Sequence, residues 1–80
     1  MQIGNQIEIN GRAYTISANL GIGEATAKCC PWITGQYGIE GKRGAIAMMM
    51  IFTNGTGRLV FTTARKVENF LSFKPLPDGR

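Results

Sequence analysis

The segment from Gly35 to Gly44, GQYGIEGKRG, carries the residue types of this chain that are best suited to contact an anion. Glycines recur at every third position, and two adjacent cations, Lys42 and Arg43, lie in the last triplet. Glycines allow a phosphate to approach the main-chain amides, and cationic side chains neutralise its charge. The segment therefore predicts either a phosphate-contacting loop or a solvated connection that leads into a strand.

Aromatic residues and a second basic pair extend the phosphate interpretation. Trp32 precedes the two cations and Tyr37 lies among the glycines, while Arg65 and Lys66 form another basic pair. Aromatic rings stack on the bases of single strands, and cations follow their backbone. The predicted nucleic-acid-binding residues are therefore Lys42, Arg43, Arg65, Lys66, Trp32 and Tyr37. In the alternative interpretation, the two rings only complete the core.

Known phosphate-binding motifs do not account for the segment. A P-loop requires Ser or Thr after its Gly-Lys pair, whereas Arg43 follows Lys42 here. The sequence GKRG at 41–44 resembles the Gly-x-x-Gly loop with which KH domains clamp a nucleic-acid backbone. That loop joins two helices, and the residues on either side of GKRG do not predict helices. The resemblance is confined to four residues and implies a phosphate contact without the KH fold.

Catalytic, metal and cofactor sites are not predicted. The chain has no histidine, and its five carboxylates are scattered, so general acid–base catalysis lacks its usual groups. Cys29 and Cys30 provide two thiols, whereas structural zinc requires four ligands. The Cα atoms of neighbouring residues are about 3.8 Å apart, which is closer than in ordinary disulfides. We therefore expect a non-enzymatic protein with reduced thiols.

Length and composition indicate one small domain over residues 1–80. The apolar fraction is 44% and the charged fraction 18%, which argues against disorder. A net charge of +4 favours an anionic partner. The sequence has neither a secretory leader pattern nor an apolar run of membrane-spanning length, so a cytoplasmic protein outside the membrane is expected. Because a core of this size is small, a homo-oligomer is as compatible with the sequence as a monomer.

A first hairpin is predicted over residues 5–16. The Asn-Gly pair at positions 10 and 11 suits a two-residue turn in which both residues adopt positive φ. That turn places Ile7 opposite Tyr14 and Ile9 opposite Arg12, so alternation assigns every side chain to a face. The predicted apolar face consists of Ile7, Ile9, Tyr14 and Ile16.

A second hairpin is predicted from AIAMMMIFT and RLVFTTA, which flank the turn NGTG. A loop of two or four residues places Met48 on the same face as Leu59 and Phe61. Both faces of the first strand are apolar, which is typical of a central strand that is covered on both sides. A buried helix over residues 45–52 is the alternative.

The remaining segments are less regular. Residues 19–34 predict either two helical turns over GEATAKCC or an edge strand. Residues 64–70 predict a helical turn or short helix, capped by Thr62 or Thr63, before an extended end and a flexible tail over residues 74–80. Together, these elements predict a mainly β or α+β fold. The architecture would be a small antiparallel sheet or a five-stranded SH3-like or OB-like barrel, with one or two short helices.

Three functions are compatible with these features. The favoured one is a small basic module that binds single-stranded RNA or DNA through its glycine-rich basic loop. The alternative is a protein-interaction module, an inhibitor or adaptor of mobile-element origin, that uses an exposed apolar surface. The third is an oligomeric structural or enzymatic unit. Salt dependence separates the first two, because phosphate contacts weaken steeply with salt.

Overall fold

The computed structural model describes residues 1–62 and 64–77 and has a mainly β fold. The strands are β1 (Gln6–Ile9), β2 (Arg12–Asn19), β3 (Ile33–Glu40), β4 (Ile46–Phe52), β5 (Gly57–Phe61), β6 (Lys66–Phe70) and β7 (Phe73–Pro75). They form one antiparallel sheet in the order β6-β5-β4-β3-β2-β1-β7, which curls into a half-barrel. The predicted mainly β class and antiparallel sheet are confirmed, with two strands more than the five-stranded alternative.

The β1–β2 hairpin has the predicted turn and register. Asn10 and Gly11 adopt φ values of 53° and 79°, as a two-residue turn of this kind requires. Ile7 lies opposite Tyr14, and both side chains are buried. Turn chemistry and alternation agree here, so local sequence was sufficient to define the pairing.

Residues 53–56 lie between β4 and β5, but the hydrogen-bonded loop of this hairpin contains three residues instead of the two or four expected. The amide of Phe52 donates to the carbonyl of Thr56 at 2.8 Å and closes a loop over residues 53–55. Gly55 adopts a φ of 85°, which matches three-residue loops that end in a left-handed residue. An odd loop shifts the pairing by one residue and reverses which side chains face inward.

The prediction that Met48 shares a face with Leu59 and Phe61 is therefore wrong. Met49 lies opposite Leu59 and both are fully buried, whereas Met48 lies opposite Val60 on the outer face of the sheet. β4 is an interior strand between β3 and β5, as expected. Its outer face is not covered within the described residues, and Ile46 is 45% exposed there.

The helix expected over residues 64–70 is also wrong, since β6 occupies most of this segment. Lys66 pairs with Phe61 and Phe70 pairs with Gly57 across the β5–β6 ladder. A helix this short is marginal by itself, whereas the free edge of β5 offers hydrogen bonds along its length. Thr63, one of the two expected caps, lies outside the described residues.

The segment between β2 and β3, for which the sequence left helical turns and an edge strand open, contains a short helix. α1 spans Glu24–Cys29, has no buried residue and ends two residues before Pro31. The extended end is β7, which pairs with β1, and the amide of Leu76 continues this pairing by donating to the Gln6 carbonyl at 2.9 Å. Residues 78–80 of the expected tail lie outside the described residues.

The two cysteines form a disulfide between neighbours, so the expectation of reduced thiols is contradicted. Their Cα atoms are 3.9 Å apart. Cys30 leaves the helical conformation with φ −133° and ψ 63°, because α1 ends at Cys29.

The core lies inside the curl and receives side chains from β1 to β6. Its buried members are Ile7, Ile9, Tyr14, Ile16, Ile39, Ala47, Met49, Leu59, Phe61 and Phe70. The curl brings the rings of Tyr14 and Phe61 within 6.5 Å of each other, although they lie on β2 and β5. Within the part of the chain described, no helix has the length and apolar character needed to cross a bilayer.

Candidate functional site

Three connections between strands meet at one end of the half-barrel: the β1–β2 turn, the β3–β4 connection and the β5–β6 connection. Gly41, which begins the β3–β4 connection, lies against the Tyr14 ring of β2, where a Cβ would be 3.0 Å from Cε1. The amide of Thr62 donates to the carbonyl of Ile46 at 3.1 Å, so the β5–β6 connection starts beside β4. Side chains from three separate parts of the sequence therefore share this end.

Five cations lie on or beside these connections, and we call this group the basic end. Its members are Arg12, Lys42, Arg43, Arg65 and Lys66. Four of them belong to the predicted site. Arg12 was missed as a site residue because the sequence placed it only as the first residue after a turn. No sequence signal indicated that the sheet would curl and bring it to the other four.

Glu68 holds two members of the basic end. Its carboxylate accepts from the Arg12 guanidinium and lies 2.9 Å from Lys66 Nζ. The hydrogen bond from Lys66, assisted by the charge of Arg12, outweighs burial and lowers the pKa of Glu68 below its ordinary 4.5. Glu68 is therefore ionised at neutral pH, and it ties the tip of the β1–β2 hairpin to β6.

The other three cations are not neutralised in this way. Within residues 1–62 and 64–77, no carboxylate forms an ion pair with Lys42, Arg43 or Arg65. All three side chains belong to exposed residues of the connections. Their charges are consequently available to an anionic ligand.

Backbone strain is concentrated at the same end. In the described part of the chain, the non-glycine residues with positive φ are Asn10, Arg43 and Arg65, at 53°, 62° and 49°. Asparagine adopts this region readily, whereas other side chains cost about 1–2 kcal/mol there. Strained residues that persist often serve a ligand contact, so both arginines are functional candidates.

A pocket of 430 Å³ opens at the basic end. Its lining includes the cations Arg12 and Lys42 and the apolar surfaces of Ala45 and Phe61. Tyr14 also lines it, and burial raises the pKa of its hydroxyl above 10 despite the opposing charge of Arg12. The phenol is therefore neutral at physiological pH and can donate a hydrogen bond.

The structure does not bring Trp32 and Tyr37 to the cations. Trp32 precedes β3 and Lys42 follows it, so the eight residues of β3 separate them by about 26 Å at the usual strand rise. Trp32 is half exposed at the far end of the sheet. Tyr37 pairs with the buried Met49 and packs against the core. The rings near the basic end are instead those of Tyr14 and Phe61.

An apolar stripe crosses the outer face of β4, β5 and β6. Met48, Val60 and Val67 lie side by side in successive strands, because Met48 pairs with Val60 and Val60 pairs with Val67. Val67 is 57% exposed, and Ile46 adds a second exposed side chain on β4. We call Ile46, Met48, Val60 and Val67 the outer stripe. It is the second surface of the molecule with a distinct chemical character.

Comparisons with known proteins found no relationship. No protein-family model matches the chain, no curated protein matches its sequence, and no solved structure matches its fold.

Proposed function

We propose that this protein binds single-stranded RNA or DNA through the basic end. The observation that carries the proposal is the meeting of cations from three connections, of which Lys42, Arg43 and Arg65 have no carboxylate partner in the described residues. Lysine and arginine contacts to phosphates supply most of the sequence-independent affinity for nucleic acids. The strained conformations of both arginines support the same assignment.

Arg12 and Lys66 have a supporting role in the proposal. Glu68 neutralises part of their charge and fixes their position. Lys66 Nζ also lies 5.4 Å from the centre of the Phe61 ring, which restricts it further. The three unpaired cations therefore provide the main phosphate contacts, and Trp32 and Tyr37 no longer belong to the proposed surface.

The proposal places the protein in the cytoplasm, where single-stranded RNA and DNA occur. Cytosolic thiol systems keep most cysteines reduced, so in that compartment the bond between Cys29 and Cys30 would be open to reduction. The bond between Cys29 and Cys30 lies in the β2–β3 connection, away from the basic end, so nucleic-acid binding does not depend on it.

The test is a fluorescence anisotropy titration with a short labelled single strand. Because Lys42→Glu/Arg43→Glu replaces two attractions by two repulsions, we expect binding at least about tenfold weaker, or ~1.4 kcal/mol. The matched control Lys28→Glu/Arg58→Glu changes the net charge equally away from the basic end and should retain most of the affinity. An equal loss in both variants, or none in the first, contradicts the proposal.

The outer stripe favours a second candidate function, a protein-interaction module that acts as an inhibitor or adaptor. Its two most exposed members, Ile46 and Val67, are large apolar side chains on regular strands, where solvent contact is unfavourable. An apolar interface of this kind is insensitive to salt, unlike a phosphate contact. A partner whose binding survives high salt and is lost in Val67→Asp would support this function over the first.

A further inference from the structure

We infer that the pocket at the basic end takes a terminal nucleoside monophosphate, free or at the phosphorylated end of a single strand. This inference rests on the proposed function and specifies which part of the strand the protein reads. A volume of 430 Å³ lies within the range of about 300–1,000 Å³ that is typical of small-molecule sites. It is large enough for one nucleotide.

Two cations in the lining of the pocket suit a phosphate. Lys42 and Arg12 both line it, and they come from the β3–β4 connection and from β2. Lys42 has no ion pair among residues 1–62 and 64–77, so its charge is available. Arg12 is held by Glu68 through one nitrogen only, and its guanidinium has further donors for a phosphate oxygen.

The remaining lining of the pocket suits a base. Ala45, the neutral phenol of Tyr14 and Phe61 also line it, and Tyr14 and Phe61 are 4% and 6% exposed. Apolar surface of this kind accepts any base without contacting its hydrogen-bonding edge. Glu8 also lines the pocket, but its carboxylate lies 3.4 Å from Lys74 Nζ, so its repulsion of a phosphate is reduced.

The interior behind the pocket is filled, which favours the end of a strand over its middle. Tyr14 and Phe61, which line the pocket, are themselves members of the core, and Met49 and Leu59 in the same core have no solvent exposure. A nucleic-acid strand cannot pass through the filled interior, so its chain would have to enter and leave the pocket through the same opening. A terminal nucleotide is joined to the rest of the nucleic acid by a single linkage, so it fits without a sharp bend in the sugar–phosphate backbone.

The experiment compares single strands of one sequence that carry a 5′-phosphate, a 3′-phosphate or no terminal phosphate, with a free nucleoside monophosphate as competitor. We expect one phosphorylated strand to bind about five times more tightly than the strand without a terminal phosphate, by roughly 1 kcal/mol. The free nucleotide should displace that excess. Equal binding of all three strands by the unmodified protein overturns the inference.

Two variants that fill the pocket test whether the preference for a terminal phosphate arises there. Ala45→Leu and Ala13→Leu each add bulk at a lining position, and both should remove the preference for a terminal phosphate. Ala27→Leu, in α1 in the β2–β3 connection, is the matched control and should keep it. A preference that persists in both filling variants, with folding verified by circular dichroism, also overturns the inference.

The outcomes separate this inference from the proposed function. Strands that bind without regard to their ends, with weakening by Lys42→Glu/Arg43→Glu, overturn the inference and leave the proposed function standing. A free nucleotide that binds in the pocket while no strand binds supports the pocket assignment and removes the proposed function. Absence of binding by all strands and by the nucleotide overturns both.

Discussion

Arg43 combines an exposed positive charge with a strained backbone conformation. Its φ of 62° is in the left-handed region, and Gly44 follows with a φ of 74°. A glycine at position 43 would adopt this conformation without the steric conflict of a Cβ. Its guanidinium has no carboxylate partner in the described residues, so neither local geometry nor an internal ion pair explains the arginine.

The first prediction concerns this residue. Arg43→Gly should leave the free energy of unfolding unchanged or raise it by up to about 1 kcal/mol, because relief of the left-handed strain offsets the entropy of an added glycine. The same variant should weaken binding to a single strand. Urea unfolding and anisotropy titration measure the two effects.

The control for Arg43→Gly is Lys42→Gly, in the same connection but without a positive φ in the native backbone. Lys42→Gly lacks the strain relief and should lower stability by about 0.5–1 kcal/mol. If both variants destabilise the protein equally, the Arg43 side chain stabilises the fold and the trade-off between stability and binding is absent.

At the scale of elements, close packing between neighbouring strands shapes the half-barrel. Gly57 begins β5 and is buried, with the ring of Phe70 from β6 directly over it. A Cβ at this position would overlap both that ring and the carbonyl oxygen of Met50. The absence of a side chain at Gly57 therefore allows the β6 phenylalanine to enter the core.

The second prediction follows from this contact. Gly57→Ala should lower the free energy of unfolding by about 3 kcal/mol, at the upper end of the cost of overpacking, because a backbone carbonyl has little freedom to move. Thermal or urea unfolding measures the change. Gly23→Ala, with no atom within 4 Å of the added Cβ, is the control and should change stability by less than about 0.5 kcal/mol. Similar effects at both positions would contradict the packing argument.

The elements also differ in how far they could be predicted. The β1–β2 hairpin followed from an Asn-Gly turn and alternation, both of which act within a dozen residues. The face on which Met48 lies did not follow in this way. It depends on whether the loop has an odd or an even number of residues, and the sequence does not show whether the turn begins at Thr53 or at Asn54. β6 was mistaken for a helix, since only the neighbouring β5 provides its hydrogen bonds.

At the scale of the whole molecule, the preference for an anionic partner depends more on where the charges lie than on the net charge. Five cations lie at the basic end, whereas Lys28 and Arg58 lie away from it. The net charge of +4 would by itself indicate only a weak preference for anions. Three of the five cations have no carboxylate partner in the described residues, so much of the unpaired positive charge of that part of the chain lies at this end.

The third prediction uses this distribution. If Lys42, Arg43 and Arg65 each contact one phosphate, the logarithm of the binding constant should fall with the logarithm of salt concentration with a slope of about −2. The variant Lys42→Gln/Arg43→Gln should reduce the slope to about −0.7. Titrations over a range of salt concentrations measure both values. A slope near zero in the unmodified protein would favour the outer stripe as the binding surface.

The sequence by itself determined the mainly β class, the register of the first hairpin and four of the five cations of the basic end. Turn chemistry, alternation and residue type are local properties, so they can be read from neighbouring positions. Tertiary structure alone decided that Arg12 joins these cations, that Trp32 and Tyr37 do not, and that a pocket lies between them. These outcomes depend on the curl of the sheet. The curl brings together residues that are distant in sequence, such as Arg12 and Glu68, which are 56 positions apart.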